Sequence, residues 1–337
     1  MAKARTSRVR SKPINLFYEE PEGDRWVRFD RYPRTVMRRL VRGSRPVGGM
    51  KRYFLNLCAG LDGLAVPYAV NDYRRVRRHP REVACIVGKP NVLDKMEWKN
   101  PIVFGPAVFS HPCDDPDLPQ RLPIQRLLVS CEWMRKMFSA YPGDLVSVWP
   151  AGINTHEWQP APAQLKTADV LVYDKIRWER GRYEPEMIDE ILSAIRARNL
   201  SSRVVRYGYY KEDEFRAFLA CSRSMIFLCE HETEGFAYLQ ALSSGVPILA
   251  WDRGGFWQDP AYYPHKVQYG PVTSVPYWDG RCGLKFENIR DFSARLDEFI
   301  DAERAGKFAP RDYILENLTL EKQAARYLDF VSEIERQ

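Results

Sequence analysis

No run of about 18 apolar residues occurs in this chain of 337 residues, so nothing in it reads as a membrane-spanning helix. The start, Met-Ala-Lys-Ala-Arg-Thr-Ser-Arg-Val-Arg-Ser-Lys, is basic, but no apolar segment follows that would make it an export signal. The seven cysteines, at 58, 85, 113, 131, 221, 229 and 282, never fall in a Cys-x-x-Cys spacing, which argues against a structural zinc site. Several of them lie in apolar runs and read as small buried hydrophobes, so a reducing cytoplasm is expected. A persuasive Asp-x-Asp metal motif is missing, Asp114-Asp115 being a weak substitute, and no metal is expected. Aromatics are not interleaved with the basic residues as a single-strand groove would need, so nucleic acid is not the expected partner.

What the chain has is length, and charge of one sign. It is long for one hydrophobic core, and two domains are the natural expectation. The formal net charge of +7 is uneven: residues 1–51 hold fourteen Lys or Arg against five Asp or Glu. Arg74, Arg75, Arg77, Arg78 and Arg81 form a second basic cluster. Such patches attract phosphate-bearing partners, and the expected one is an anionic membrane touched peripherally through the N-terminal region. The plain alternative is a disordered tail and a solvated helix face.

The most informative stretch runs from Ser224 to Gly255. Ser224–Cys229 reads as a buried strand, Phe236–Ser244 as one short helix closed by Gly245, and Val246–Ala250 as a second strand. A βαβ unit of this kind binds ligands at the carboxyl ends of its strands. Glu232 and Gln240 are eight residues apart, roughly 12 Å along a helix, which suits the two ends of a diphosphate-linked molecule. Thr233, Glu234, Gly235 and Phe236 begin that helix in this reading, and its free N–H groups favour a phosphate.

With its later glycine pair, this stretch resembles the GT-B glycosyltransferases of the family 4 type, the group 1 glycosyl transferases. Their pattern is Glu, seven residues, Glu-Ala, then Gly-x-Pro and later Gly-Gly. Glu232, Ala241, Gly245, Pro247, Gly254 and Gly255 fall on it. Glu234 departs from the family's usual Phe, and Gln240 from its second acid. The resemblance implies that Glu232 holds donor-sugar hydroxyls and that position 240 holds the ribose. Gln240 can hydrogen-bond a ribose, without a carboxylate's charge.

Other stretches carry the resemblance further. Asp174-Lys175-Ile-Arg177-Trp-Glu-Arg180-Gly181 matches the family's "Gly-Arg-Leu…Lys-Gly", with Lys175 and Arg180 on the two residues that hold the donor diphosphate. Two cations at a strand's end also read, by themselves, as poor structural choices unless an anion is present. Gly48 and Gly49 match a glycine turn that approaches donor and acceptor. Gly208 matches a nucleotide-proximal loop. The family's His beneath the donor sugar would fall at Gly105 or Pro106, and His111 is the nearby candidate. The segment 145–160 resembles the family's hinge, with Ala151 for its Asn and Asn154 for its Asp.

The fold expected is therefore α/β, GT-B: two Rossmann-like parallel-sheet domains facing a cleft, with a C-terminal helix crossing back to the first. The boundaries read as a basic tail over 1–12, an acceptor domain over 13–158, a linker over 159–167, a donor-nucleotide domain over 168–315 and the returning helix over 316–337. The polar segment 19–47 is long for a βα loop and reads as a functional insertion. The activity implied is transfer of a hexose-type sugar from a nucleotide-diphosphate donor to a hydroxyl of a glycan or lipid-linked acceptor, with retention and without metal or other cofactor. Its implied place is the cytoplasm, at the inner face of the membrane. The alternative is a catalytically degenerate GT-B protein that binds a nucleotide sugar or partner without transfer. Both place a pyrophosphate where Lys175, Arg180 and the turn before Phe236 converge.

Overall fold

A computed structural model describes residues 12–20, 48–106 and 110–337. The basic tail up to residue 11, and residues 21–47 of the long polar insertion, lie outside the described residues. The chain divides into two units. The first takes the described residues up to Ser130, then Phe138–Gly152 and Leu320–Gln337; the second takes Cys131–Met137 and Ile153–Thr319.

In the first unit the described residues form a six-stranded, wholly parallel sheet in the order β2-β1-β3-β4-β5-β6. The strands are β1 (Ile14–Phe17), β2 (Tyr68–Val70), β3 (Ala84–Ile86), β4 (Ile102–Phe104), β5 (Ile124–Val129) and β6 (Val146–Val148). Parallel pairing needs a crossover between strands, and both faces of the sheet then become buried. That is why β3 and β4 are continuous apolar runs, and β1 is apolar but for Asn15, all buried along their whole length. Helix α1 (Gly49–Gly63) lays Tyr53, Leu57 and Leu61 into the core at fourfold spacing. Helix α2 (Tyr73–Arg78) buries Val76 and leaves Arg74, Arg77 and Arg78 exposed.

The second unit begins with α3 (Glu132–Met137) and holds a five-stranded parallel sheet in the order β11-β10-β9-β7-β8. Its elements are β7 (Ala168–Asp174), α4 (Asp189–Ala197), β8 (Ser202–Arg206), α5 (Glu212–Cys221), β9 (Ser222–Leu228), α6 (Phe236–Ser243), β10 (Ile248–Trp251), β11 (Gly283–Phe286), α7 (Ile289–Arg304) and α8 (Pro310–Asn317). Successive strand residues point to opposite faces. Leu171, Tyr173, Met225 and Phe227 accordingly join one core with α5 and α6. Val170, Val172, Ile226 and Leu228 join another with α4 and α7.

The chain passes between units at Gly152/Ile153, ahead of the Pro/Ala/Gln-rich segment 159–167. That segment packs within the second unit, where the Lys166 ammonium donates to the carbonyls of Leu219 (3.0 Å) and Ser222 (2.7 Å). Helix α9 (Leu320–Glu335) belongs to the first unit and packs on α1. The approach is close at Gly60, where any Cβ would press on the Leu320 carbonyl and lie 2.8 Å from the Ala324 Cβ. Trp149 fixes the same seam: its indole N–H donates to the Gln323 carbonyl (3.0 Å), and its ring meets Tyr327 edge-on at 4.8 Å. No helix among the described residues is long and apolar enough to cross a membrane.

Candidate functional site

Several ionisable residues of the second unit meet at the carboxyl ends of β7, β9 and β10, neighbours in the sheet. The ladder runs slightly past the strands, with the Lys175 N–H donating to the Leu228 carbonyl at 2.8 Å. Three loops therefore leave the sheet side by side: Lys175–Glu179 after β7, Cys229–Gly235 after β9 and Asp252–Gly255 after β10.

Lys175 and Glu232, 57 positions apart, meet here. The Lys175 ammonium pairs with Glu232 Oε1, with side-chain exposures of 13% and 9%. Burial pulls the ammonium's pKa down, but the Glu232 carboxylate outweighs it and holds it above the usual lysine value. Its other face lies 4.6 Å from the centre of the Tyr207 ring. The Glu232 backbone is fixed from both sides: its N–H donates to the Thr273 carbonyl (3.0 Å), and its carbonyl accepts from the Trp133 indole (2.9 Å).

Arg180 behaves differently. Its guanidinium reaches back to both Asp174 oxygens, at 3.2 and 2.7 Å, and also contacts Glu184 (3.1 Å). The Asp174 hydrogen bond holds its pKa above the usual arginine value. The sequence argument that two cations here are poor structural choices without an anion is thereby corrected. Each has a carboxylate partner in its own unit, and those partners are what seat them. The structure brings Lys175 to Glu232 and turns Arg180 toward Asp174.

The helix after Glu232 starts at Phe236, as the Phe236–Ser244 reading has it, but Thr233–Gly235 are not part of its first turn. Thr233 and Glu234 belong to the loop, Gly235 is the N-cap and Phe236 the first residue of α6. Gly235 has φ +80°, and a Cβ there would overlap the Tyr238 ring, so position 235 excludes every side chain. The helix start is not a bare anion seat, because buried Glu234 stands directly before it and accepts from the Tyr277 hydroxyl (3.0 Å). Gln240 is buried on α6, and its side-chain amide makes no hydrogen bond among the described residues. Gly208, at φ +84°, turns the chain after β8 between Tyr207 and Tyr209, which are 50% and 76% exposed.

The remaining expected residues belong to the first unit. Gly48 caps α1 and Gly49 opens it, and no described residue lies within 4 Å of a Cβ built on either. His111 caps a 3-10 turn, its Nδ1 accepting from the Cys113 N–H at 3.1 Å. Burial lowers its pKa, with Asp114 opposing. Gly105 cannot carry a histidine: φ is +125° and a Cβ would run into the Leu128 carbonyl.

Three residues escaped the sequence reading. Glu230 Oε1 accepts from the Arg177 N–H (2.8 Å) and the Trp178 N–H (2.9 Å), closing the β7 loop over β9. His231 Nε2 accepts from the Gln258 N–H (3.2 Å), and its ring lies 5.0 Å from Trp178 and 6.0 Å from Trp133. Burial, reinforced by the charges of Arg177, Arg253 and Lys175, drops the imidazole pKa to about 3. Arg253 donates through Nη1 to the Tyr183 hydroxyl (3.1 Å). The signal that could have found them is position, since each stands two or three residues beyond a strand end at the binding edge. A cavity of about 410 Å³ lined by Asp169, Leu200, Arg223 and Glu303 lies at the opposite, amino-terminal end of β7 and β9 and takes no part in this constellation.

No protein-family pattern and no curated protein sequence matches the chain. Solved structures do. Sucrose-phosphate synthase from Thermosynechococcus elongatus superposes with a TM-score of 0.56 at 10% identity, over 96% of this chain and 99% of that one. The lipopolysaccharide outer core galactosyltransferase WaaB gives 0.53 at 11%, over 96% and 99% of the two chains. AviGT4, a glycosyltransferase involved in avilamycin A biosynthesis, gives 0.51 at 12%, over 96% and 98%. At such identities the likeness is one of fold, and the fold is GT-B: two α/β units, each built on a parallel sheet.

Proposed function

We propose that this protein is a glycosyltransferase. It moves a hexose-type sugar from a nucleotide-diphosphate donor to a hydroxyl of a glycan or lipid-linked acceptor, with retention at the anomeric carbon. The observation that carries the reading is the Lys175–Glu232 pair, placed at the carboxyl edge of the second parallel sheet and next to the start of α6. The similar folds of the galactosyltransferase WaaB and of sucrose-phosphate synthase support it.

In this reading the pair is the resting state of the site. A donor brings a diphosphate for Lys175 and sugar hydroxyls for Glu232, so each exchanges one partner for another of the same kind. Charge grows on the leaving diphosphate as the glycosidic bond breaks, and a fixed cation at that point lowers the barrier. Arg180 adds positive potential while its fork stays on Asp174. The N–H groups at the start of α6 add their partial charge, and no metal or other cofactor is required. Tyr207 and Tyr209, flanking Gly208, offer exposed rings for the base, and Gln240 offers its amide to the ribose. Gly48, Gly49 and His111, in the first unit, stay candidates on the resemblance alone. Exposed Arg74, Arg77, Arg78 and Arg81, with the basic N-terminal region, fit an acceptor at an anionic membrane surface on its cytoplasmic side.

A second reading is a GT-B protein that binds a nucleotide sugar without transferring it. It is favoured by the neutralisation of Lys175 and Arg180 in the structure and by Gln240 in place of an acid. One experiment separates the two. A thermal-shift panel of nucleoside diphosphates and nucleotide sugars identifies the donor, since a ligand that binds the folded state raises its melting temperature. Hydrolysis or transfer of that donor is then followed in the wild type, Glu232→Ala and Lys175→Ala. Turnover in the wild type alone is the expected result. Stabilisation without turnover supports the second reading, and no stabilisation by any nucleotide overturns both.

A further inference from the structure

Beside the Lys175–Glu232 pair lies a group of buried polar atoms that nothing in the second unit satisfies. His231 is 3% exposed, and its Nε2 is occupied as an acceptor by the Gln258 N–H. The proton of the neutral ring therefore sits on Nδ1. That Nδ1 is buried and has no hydrogen-bond partner. Arg253 spends Nη1 on Tyr183, while its Nε and Nη2 are buried donors without an acceptor. Glu230 is 1% exposed; its Oε1 takes two backbone N–H groups and its Oε2 takes none. The loops that carry these residues leave the sheet side by side, since Leu228 of β9 is level with Trp251 of β10, and the charge of Arg253 acts on the His231 ring.

Buried donors without acceptors are costly to keep, more so when charged. Native chains seldom leave such groups without a partner, so a cluster of them calls for one. The group is lopsided: three donor positions on two side chains, one of them a cation, and a single acceptor. The exposed Arg177, its guanidinium 4.1 Å over the Trp178 ring, adds a second positive charge near His231. A neutral sugar hydroxyl matches Glu230 Oε2, but two parallel Arg253 donors match the two oxygens of an oxyanion.

We propose that His231 and Arg253 form a binding subsite for an oxyanion carried by a hydroxylated ligand, with Glu230 Oε2 accepting from a hydroxyl of that ligand. The chemical class is an acidic sugar, bearing either a carboxylate or a phosphate monoester. The subsite adjoins Glu232, so the sugar of the donor is the group it would select. That identification rests on the proposed function; the oxyanion subsite itself does not. The Glu230 carboxylate also sets a limit on the ligand's pose, since its Oε2 must face a hydroxyl and not the acid group.

The test uses the full chain with ¹⁵N-labelled histidine, the His231 signals being assigned by their loss in His231→Gln. Glucuronate, glucose 6-phosphate and glucose are titrated at constant ionic strength in sodium chloride. The His231 Nδ1–H resonance is expected to respond to at least one acid with an affinity about tenfold or more above that for glucose, the scale of one charge-assisted bidentate contact. Which acid responds distinguishes carboxylate from phosphate. Arg253→Gln is expected to abolish the preference, and Arg253→Lys to restore only part of it because an ammonium cannot span two oxygens. Equal response to all three sugars, response to none, or a preference that survives in a folded Arg253→Gln protein overturns the proposal. Nucleoside diphosphate binding is measured on the same samples. Its absence in the wild type sinks the glycosyltransferase reading and leaves the oxyanion result to stand or fall alone.

Discussion

The Lys175 ammonium and the Glu232 carboxylate face each other across the ends of two adjacent strands, and neither has much access to water. A pair of this kind contributes little net stability compared with apolar residues of the same volume, yet breaking it from one side is costly. Lys175→Met should therefore destabilise the second unit by about 3–5 kcal/mol, leaving a buried carboxylate uncompensated. The double variant Lys175→Met/Glu232→Leu should recover most of that loss. Urea denaturation of wild type, both single variants and the double variant measures the coupling. Additive losses would mean that the pair is not the contact seen here.

Arg180 offers a sharper separation of structure from binding. Its fork spans both oxygens of Asp174, which is almost wholly buried and otherwise accepts from the Ile176 N–H at 3.1 Å. Arg180→Ala should cost about 2–4 kcal/mol by stranding that carboxylate. Arg180→Lys should recover only a minor part, because a point charge cannot make both bonds. If Arg180 also serves the diphosphate, calorimetry will show Arg180→Lys retaining much of the affinity for a nucleoside diphosphate. Arg180→Ala should lose it while binding the bare nucleoside as before. Equal losses for both ligands would leave Arg180 a structural residue only.

Two glycines among the expected site residues differ physically. Gly235→Ala must place a methyl group inside the Tyr238 ring at a left-handed backbone position. A loss above about 2 kcal/mol is expected, from the αL penalty together with the overlap. Gly49→Ala meets no described residue on the first turn of α1 and should be neutral or stabilising by up to about 1 kcal/mol. Thermal melts decide both. A folded Gly49→Ala protein that has lost transfer activity would show that backbone approach, and not helix formation, is what the glycine serves.

These outcomes bear on what the sequence could reveal. Parallel strands buried on both faces announce themselves as unbroken apolar runs, so β7, β9 and β10 were legible within a residue or two. Helix α1 was equally plain from Tyr53, Leu57 and Leu61. Strand β11 was not, because Gly283-Leu-Lys-Phe286 has a glycine and a lysine where a buried run is sought; at the sheet's edge Lys285 can reach Asp252, at 2.8 Å. The helix from Phe236 was legible too, but the loop conformation of Thr233 and Glu234 was not, since Gly235 as N-cap is a tertiary demand of Tyr238. The partners of Lys175 and Arg180 were invisible for a similar reason. Asp174 adjoins Lys175 in sequence, yet it is Arg180 that folds back to it, while Lys175 reaches 57 positions to Glu232. Glu230 and His231 were passed over because no motif includes them, and their importance lies in atoms left without partners, which only coordinates show.

His231 supplies a prediction whose sign can be worked out in full. Its folded pKa is lowered from the ordinary 6.5 to about 3 by burial and by the nearby charges of Arg177, Arg253 and Lys175. Between those values the unfolded chain binds a proton that the folded chain refuses. The unfolded state therefore gains as pH falls, and this group's contribution is complete above about pH 6.5 and lost progressively toward pH 3. Within that window one such imidazole changes stability by about 1.4 kcal/mol per pH unit. Carboxylates titrate in the same range, so the wild type alone is uninformative, and the comparison is with His231→Gln. Subtracting the variant's unfolding free energy from the wild type's should give a difference that is flat from pH 7 to 8 and falls steadily from pH 6 to 4.5. A difference that does not vary with pH would mean that the imidazole is hydrated, or paired with an anion, in the folded protein. Repeating the series with a saturating acidic sugar then tells those two apart, because an oxyanion on Nδ1 favours the protonated ring and should flatten the slope in the wild type only.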